Sequence, residues 1–160
     1  MGIKNQLPSG PNFVPSYQIS GIPYVTSSNG AEAPSAADVN LAGGVVPIEV
    51  QFPQVTRFVC VTNTGTQDLR VGFSQNGVMD PVGTAAAGNE TRRNYFIIDK
   101  DQPSAVRMEV RCTKLFFLSD GSSGNGTGFS VLAGLTGVDR GAFPPLTGTL
   151  GAELSFEGIG

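Results

Sequence analysis

Apolar residues along this chain recur mostly with a period of two. In "AVRMEVRC" (105–112) Val106, Met108, Val110 and Cys112 fall on one side and Arg107, Glu109 and Arg111 on the other, as a half-buried strand requires. "DLRVGFS" (68–74) repeats the arrangement with Leu69, Val71 and Phe73. Two runs, "VTRFVCVT" and "NYFIID", are apolar on both sides, which suits central strands or strands buried beneath a neighbouring subunit. Runs bounded by Gly, Pro, Asn or Asp lie at 19–26, 45–52, 55–63, 68–74, 93–99, 105–112, 114–119 and 128–135. Eight short strands with turn chemistry between them predict an all-β sandwich or barrel. The one helical signal is "PSAADVNLAGG", where Ser35 and Asp38 have capping-box spacing and Gly43–Gly44 stop the helix after two turns at most.

The stretch "KLFFLSDGSSGNGTGFSVLAGLTGV" (Lys114–Val138) joins two dense apolar runs by ten residues with four glycines and three serines. It reads as a hairpin-like unit with a long exposed loop, because a polar connector of that length cannot be buried without orphaning backbone groups. Gly124, Gly126 and Gly128 offer open amides for a phosphate, but no helix and no Walker-type Lys follow them. Asp120 is the only acid there, too few for calcium.

Both ends differ from the middle. Residues 1–18, with Pro8, Pro11 and Pro15, read as an extended N-terminal arm, 19–138 as one β-sandwich domain, and 139–160 as a C-terminal arm. The candidate assembly residues are the apolar side chains of the arms: Phe13, Val14, Phe143, Leu146, Leu150, Leu154 and Phe156. They need burial, in their own domain or in a neighbour.

Composition narrows the chemistry. Charged residues are 14% of 160, well below the roughly one quarter of a typical soluble domain, so much of the surface is expected to be covered by other protein. A net charge of -3, with eight of ten basic residues between Arg57 and Lys114 interleaved with six acids, argues against direct nucleic-acid binding. There is no His, which removes the usual general base, nucleophile activator and metal ligand. No cofactor or metal site is expected, and no enzyme activity. Asp99 and Asp101 in "IIDKDQP" read as a solvated turn, Ser130 lacks the second Gly of a nucleophile elbow, and Arg92–Arg93 reads as a strand-entry ion pair. Asn89-Glu-Thr91 and Asn125-Gly-Thr127 match the glycosylation pattern by chance. Cys60 and Cys112, placed in strands, are expected to be buried free thiols. No signal peptide, myristoylation pattern or membrane-spanning run is read, so the chain is expected to be made in the cytoplasm without export.

The order of "SGIPYVTS" (Ser20–Ser27), "RFVCVTNTGTQDLRVGFS" (Arg57–Ser74) and the Lys114–Val138 stretch resembles the single jelly-roll capsid proteins of large tailless double-stranded DNA viruses, especially their pentameric vertex (penton) proteins. The resemblance covers roughly residues 19–138. It implies an eight-stranded antiparallel jelly-roll sandwich with terminal arms, homopentamers closing the icosahedral fivefold vertices, contacts to neighbouring capsid proteins and a place in the virion. The family brings no catalytic residues. Two other readings compete: a phage tail, decoration, minor capsid or cement protein, and a non-viral β-sandwich ligand-binding module. Against the module, a sugar-binding face needs exposed aromatics, and the chain has no Trp and only Tyr17, Tyr24 and Tyr95.

Overall fold

The computed structural model describes residues 22–28, 33–39, 45–79, 94–102 and 104–143. Eight strands form: β1 (Ile22–Ser27), β2 (Ile48–Gln51), β3 (Gln54–Asn63), β4 (Leu69–Gly72), β5 (Tyr95–Ile98), β6 (Val106–Met108), β7 (Lys114–Ser119) and β8 (Phe129–Asp139). Each coincides with one of the eight runs read from the periodicity. Helical backbone among the described residues is limited to single turns at Ala36–Asp38, Gln75–Val78 and Arg140–Ala142. Ser35 caps the first of these, its hydroxyl accepting from the Ala37 N–H at 3.1 Å.

The strands pair antiparallel throughout, in two four-stranded sheets ordered β1-β8-β3-β6 and β2-β7-β4-β5. The pairs nest: β1 with β8, β2 with β7, β3 with β6 and β4 with β5. Contacts of β3 with β8 and of β4 with β7 join these pairs into the sheets. The first sheet turns Val59, Val61, Val131, Ala133 and Leu135 inward, where they meet Val50, Leu69, Val71, Ile98, Leu115 and Phe117 of the second in one buried cluster. The molecule is therefore a sandwich. The rings of Phe117 and Phe129 stack at 4.2 Å across the layers, and Tyr24 meets Phe52 edge-on at 5.3 Å, so β1 lies over the β2 side. Each side chain fully buried there contributes about 1.5–3 kcal/mol, which makes the inward positions the costly ones to alter.

The alternating segment 105–112 is a strand only over Val106–Met108. Beyond it the chain leaves the first sheet to enter β7 in the second, and the Thr56 side chain holds that crossing. Its hydroxyl donates to the Val110 carbonyl at 2.8 Å and accepts from the Cys112 N–H at 3.0 Å. Cys112 thus lies outside any strand yet is fully buried, and Val110 is half-buried at the core margin. β8 runs past residue 135 to Asp139, opposite Gln54, with the register of β3 shifting on either side of Thr56. "NYFIID", expected to be central or covered, holds β5 at a sheet edge, with Ile97 47% exposed.

In the second sheet the middle strands are buried on both faces, along β4 and over Leu115–Ser119 of β7, while Glu49, Gln51 and Ile97 of the edge strands are exposed. Phe116 and Leu118 of β7 point away from the main core into a smaller cluster closed by Val78, with Ala36, Val39, Met79 and Tyr95 packed around it. Arg70, on the same outer side of β4, is buried too, its guanidinium paired with Asp120 and lying 4.6 Å over the Tyr95 ring.

Candidate functional site

The outer face of the first sheet lacks such a cover among the described residues. Strand pairing sets its side chains in rows. One row crosses all four strands as Val25, Leu132, Cys60 and Arg107, and the next holds Pro23, Gly134 and Phe58. Inward neighbours Val131 and Ala133 are fully buried, so alternation forces Leu132 outward, where it is 43% exposed; Val25 is 69% exposed. Cys60 and Phe58 are half-buried. Arg107 closes the row with its guanidinium 4.2 Å over the Phe58 ring and a 2.6 Å pair to Glu109. That hydrogen bond raises the guanidinium pKa further, so the cation is permanent. The strip is apolar and is bounded at one side by a cation paired with its own acid.

β1 extends the exposure to the sheet edge. Among the described residues it has one neighbour, β8, and carries no charged residue. Ile22 sits opposite buried Leu135 and so on the core side, yet it is 51% exposed because no strand flanks it there.

The connector after β7, expected as a free surface loop, is tied down. Ala33 and Thr127 exchange backbone hydrogen bonds at 2.9 and 3.1 Å, and the Ser35 hydroxyl donates to the Gly121 carbonyl at 2.6 Å. The Asp38 carboxylate does not close a capping box. It reaches the loop instead, accepting from the Gly124 N–H at 2.6 Å and from the Ser123 hydroxyl. Those two bonds hold its pKa below the ordinary 3.8. Gly124 occupies φ +80°, which suits its lack of a Cβ. Thr127 is fully buried, its hydroxyl 3.1 Å from the Asn63 amide oxygen, and Gly65 lies so close that a Cβ there would fall 2.2 Å from the Thr127 oxygen. The Gly124 and Thr127 amides are thus engaged in holding the 33–38 segment.

Of the assembly candidates, Phe143 is half-buried against Val55 and Val138 of its own chain. Phe13, Val14, Leu146, Leu150, Leu154 and Phe156 lie outside the described residues, as do Asn89, Arg92 and Arg93. Asp99 forms the expected turn, accepting from the Asp101 N–H at 2.7 Å and, through its carbonyl, from the Gln102 N–H at 3.2 Å. Ser130 lies on the bare outer face beside Leu132. Both cysteines are free, but only Cys112 is buried; Cys60 opens onto the outer face, contrary to the expectation for the pair. Burial pushes the Cys112 thiol up to about 11. Among the described residues no group of three or more His, Cys, Asp or Glu gathers in a metal-binding arrangement, and no helix is long and apolar enough to cross a membrane.

Sequence reasoning missed the Val25–Leu132–Cys60 row. Its signal was present only as doubly apolar runs, and the row itself appears once β1, β8 and β3 are in register. In comparisons with protein-family models, with curated proteins and with solved structures, nothing matches this chain.

Proposed function

We propose that the chain is a structural subunit of a virion shell: a jelly-roll protein that assembles with copies of itself, as a pentamer closing a fivefold vertex, and contacts neighbouring capsid proteins. The observation that carries the assembly reading is the difference between the two sheets. The chain covers the middle strands of the outer face of β2-β7-β4-β5 with its own apolar residues, whereas on the other sheet it leaves Leu132 of the inner strand β8 exposed, with Val25 beside it. Strand order supports the fold reading, since a jelly roll is a long antiparallel hairpin folded over, in which first pairs with last, second with seventh, third with sixth and fourth with fifth. The low charged fraction of 14% suits a surface hidden by neighbours, and the role calls for no catalysis or cofactor.

The test is the native mass of the full chain across a range of concentrations, followed by imaging of the assembly. A ring of five is expected. A trimer favours the tail or decoration role, and a chain that stays monomeric at every concentration overturns self-assembly.

A further inference from the structure

The bare sheet edge and the chain's own last residues are complementary. From Leu146 to Glu157 the chain alternates: Leu146, Gly148, Leu150, Ala152, Leu154 and Phe156 occupy one parity, while Thr147, Thr149, Gly151, Glu153, Ser155 and Glu157 occupy the other. Twelve residues with one apolar and one polar side are the pattern of a half-buried strand. β1 has an uncharged free edge among the described residues, with Ile22 half-exposed on the core side where an added strand would cover it. Pro23 removes a donor near the start of this edge only; the Ser28 N–H bonds to β8, so by alternation the N–H groups of Val25 and Ser27 face away from β8 and remain available for pairing.

We infer that residues 146–157 of one copy add as an antiparallel strand to the free edge of β1 in the next copy, with Leu146, Leu150, Leu154 and Phe156 on the core side beside Ile22. Topology selects a second copy over the same chain. Ile22 opens β1 opposite Leu135, so β1 begins at the end where β8 finishes and the chain runs on to Phe143. A segment continuing from there to the far side of β1 would have to run parallel to β1 and cross the chain entering it, and both features are disfavoured. A segment from another copy meets neither obstacle. Main-chain hydrogen bonds supply the affinity of such strand addition and the alternating side chains supply the register. Because a tail meets an edge, the contact is head-to-tail, the kind that closes into a ring when the rotation permits. The inference rests on the self-assembly part of the reading above and names the contact that would produce it.

Hydrogen exchange on the full chain, read together with native mass, tests the proposal. As the chain passes from dilute monomer to oligomer, the amides of Val25 and Ser27 should slow by about tenfold or more, the mark of newly paired backbone, while those of Tyr24 and Thr26, turned to β8, change little. A variant carrying Leu150→Asp and Leu154→Asp should remain monomeric with the Val25 and Ser27 amides exchanging fast. A synthetic peptide of residues 144–160, added in excess to the wild-type oligomer, should lower the mass to that of the monomer while the amides stay protected. That measurement stands whether or not the variant folds. An oligomer that persists in the double variant, or that withstands the peptide, overturns the contact and leaves self-assembly in place. Protection of Val25 and Ser27 that is independent of concentration overturns it as well, since the chain's own tail or its N-terminal arm would then occupy the edge.

Discussion

Val131 and Val110 separate two environments that the alternating pattern treats alike. Val131 is fully buried between the sheets, whereas Val110 is half-buried where the chain crosses from one sheet to the other. An Asp at 131 buries an unpaired carboxylate at a cost of several kcal/mol, comparable with the 5–15 or so that holds a domain together. We expect Val131→Asp to be insoluble or unfolded and Val110→Asp to fold with a lowered Tm, as circular dichroism on heating will show. Equal melting of the two would mean that the face assignment is wrong. The cysteines differ in the same way. Cys60 should react with a thiol reagent in the folded protein and Cys112 only after denaturant is added. Burial favours the neutral form of Cys112, so its contribution to stability is complete below pH 9, near its ordinary value of 9.0, and is lost as the pH rises towards about 11. The two-unit gap corresponds to roughly 2–3 kcal/mol. Between pH 8 and 11 the wild type should therefore lose that much more stability than Cys112→Ala in parallel urea titrations.

Elements in this fold depend on single polar side chains at the places where the chain changes course. Thr56→Val leaves the Cys112 N–H without the hydroxyl it now meets, a loss of about 1–3 kcal/mol for a buried donor. Chemical denaturation should register it, and a neutral outcome would show that the crossing needs no such tie. At the loop, the Asp38 carboxylate holds Gly124 and Ser123 only while ionised. Its pKa is depressed, so the clamp is present at neutral pH and is released only as the pH falls through a value below 3.8. The Gly124 amide resonance should titrate there in the wild type and not in Asp38→Asn. Strand positions were legible in the sequence because period-two burial is a local property, and Ser35 announced its cap for the same reason. The segment 109–112 was misread as strand because its apolar residues still face the core after leaving the ladder. The cover on the second sheet was illegible, since Val39, Val78 and Met79 are scattered apolar residues in turns whose meeting on Phe116 and Leu118 is decided by tertiary packing.

At the scale of the molecule, three of the six exposed large apolar side chains among the described residues, Ile22, Val25 and Leu132, lie on β1 and β8, where the proposed neighbour would hide them. Val25→Lys and Leu132→Lys change residues that are largely exposed, so each should alter stability by no more than about 0.5 kcal/mol. Both should nevertheless weaken assembly, because a neighbour would have to bury the new charge. Melting and native mass measured on the same samples will separate the two effects; intact assembly of both variants would remove this face from the interface.

Nested pairing also fixes when the surface comes into existence. Val25 and Leu132 become neighbours only when the first and last strands meet, across more than a hundred residues of chain. Contacts of such separation carry the largest loop-closure cost and form slowly, whereas β4 and β5 close a far shorter loop. A nascent chain still on the ribosome, or one trapped with only its inner strands paired, has no β1–β8 row to present. If the proposed assembly uses this face, competence for it is withheld until folding is finished, and in pulse-labelled refolding the amides of β1 should gain protection in the last kinetic phase.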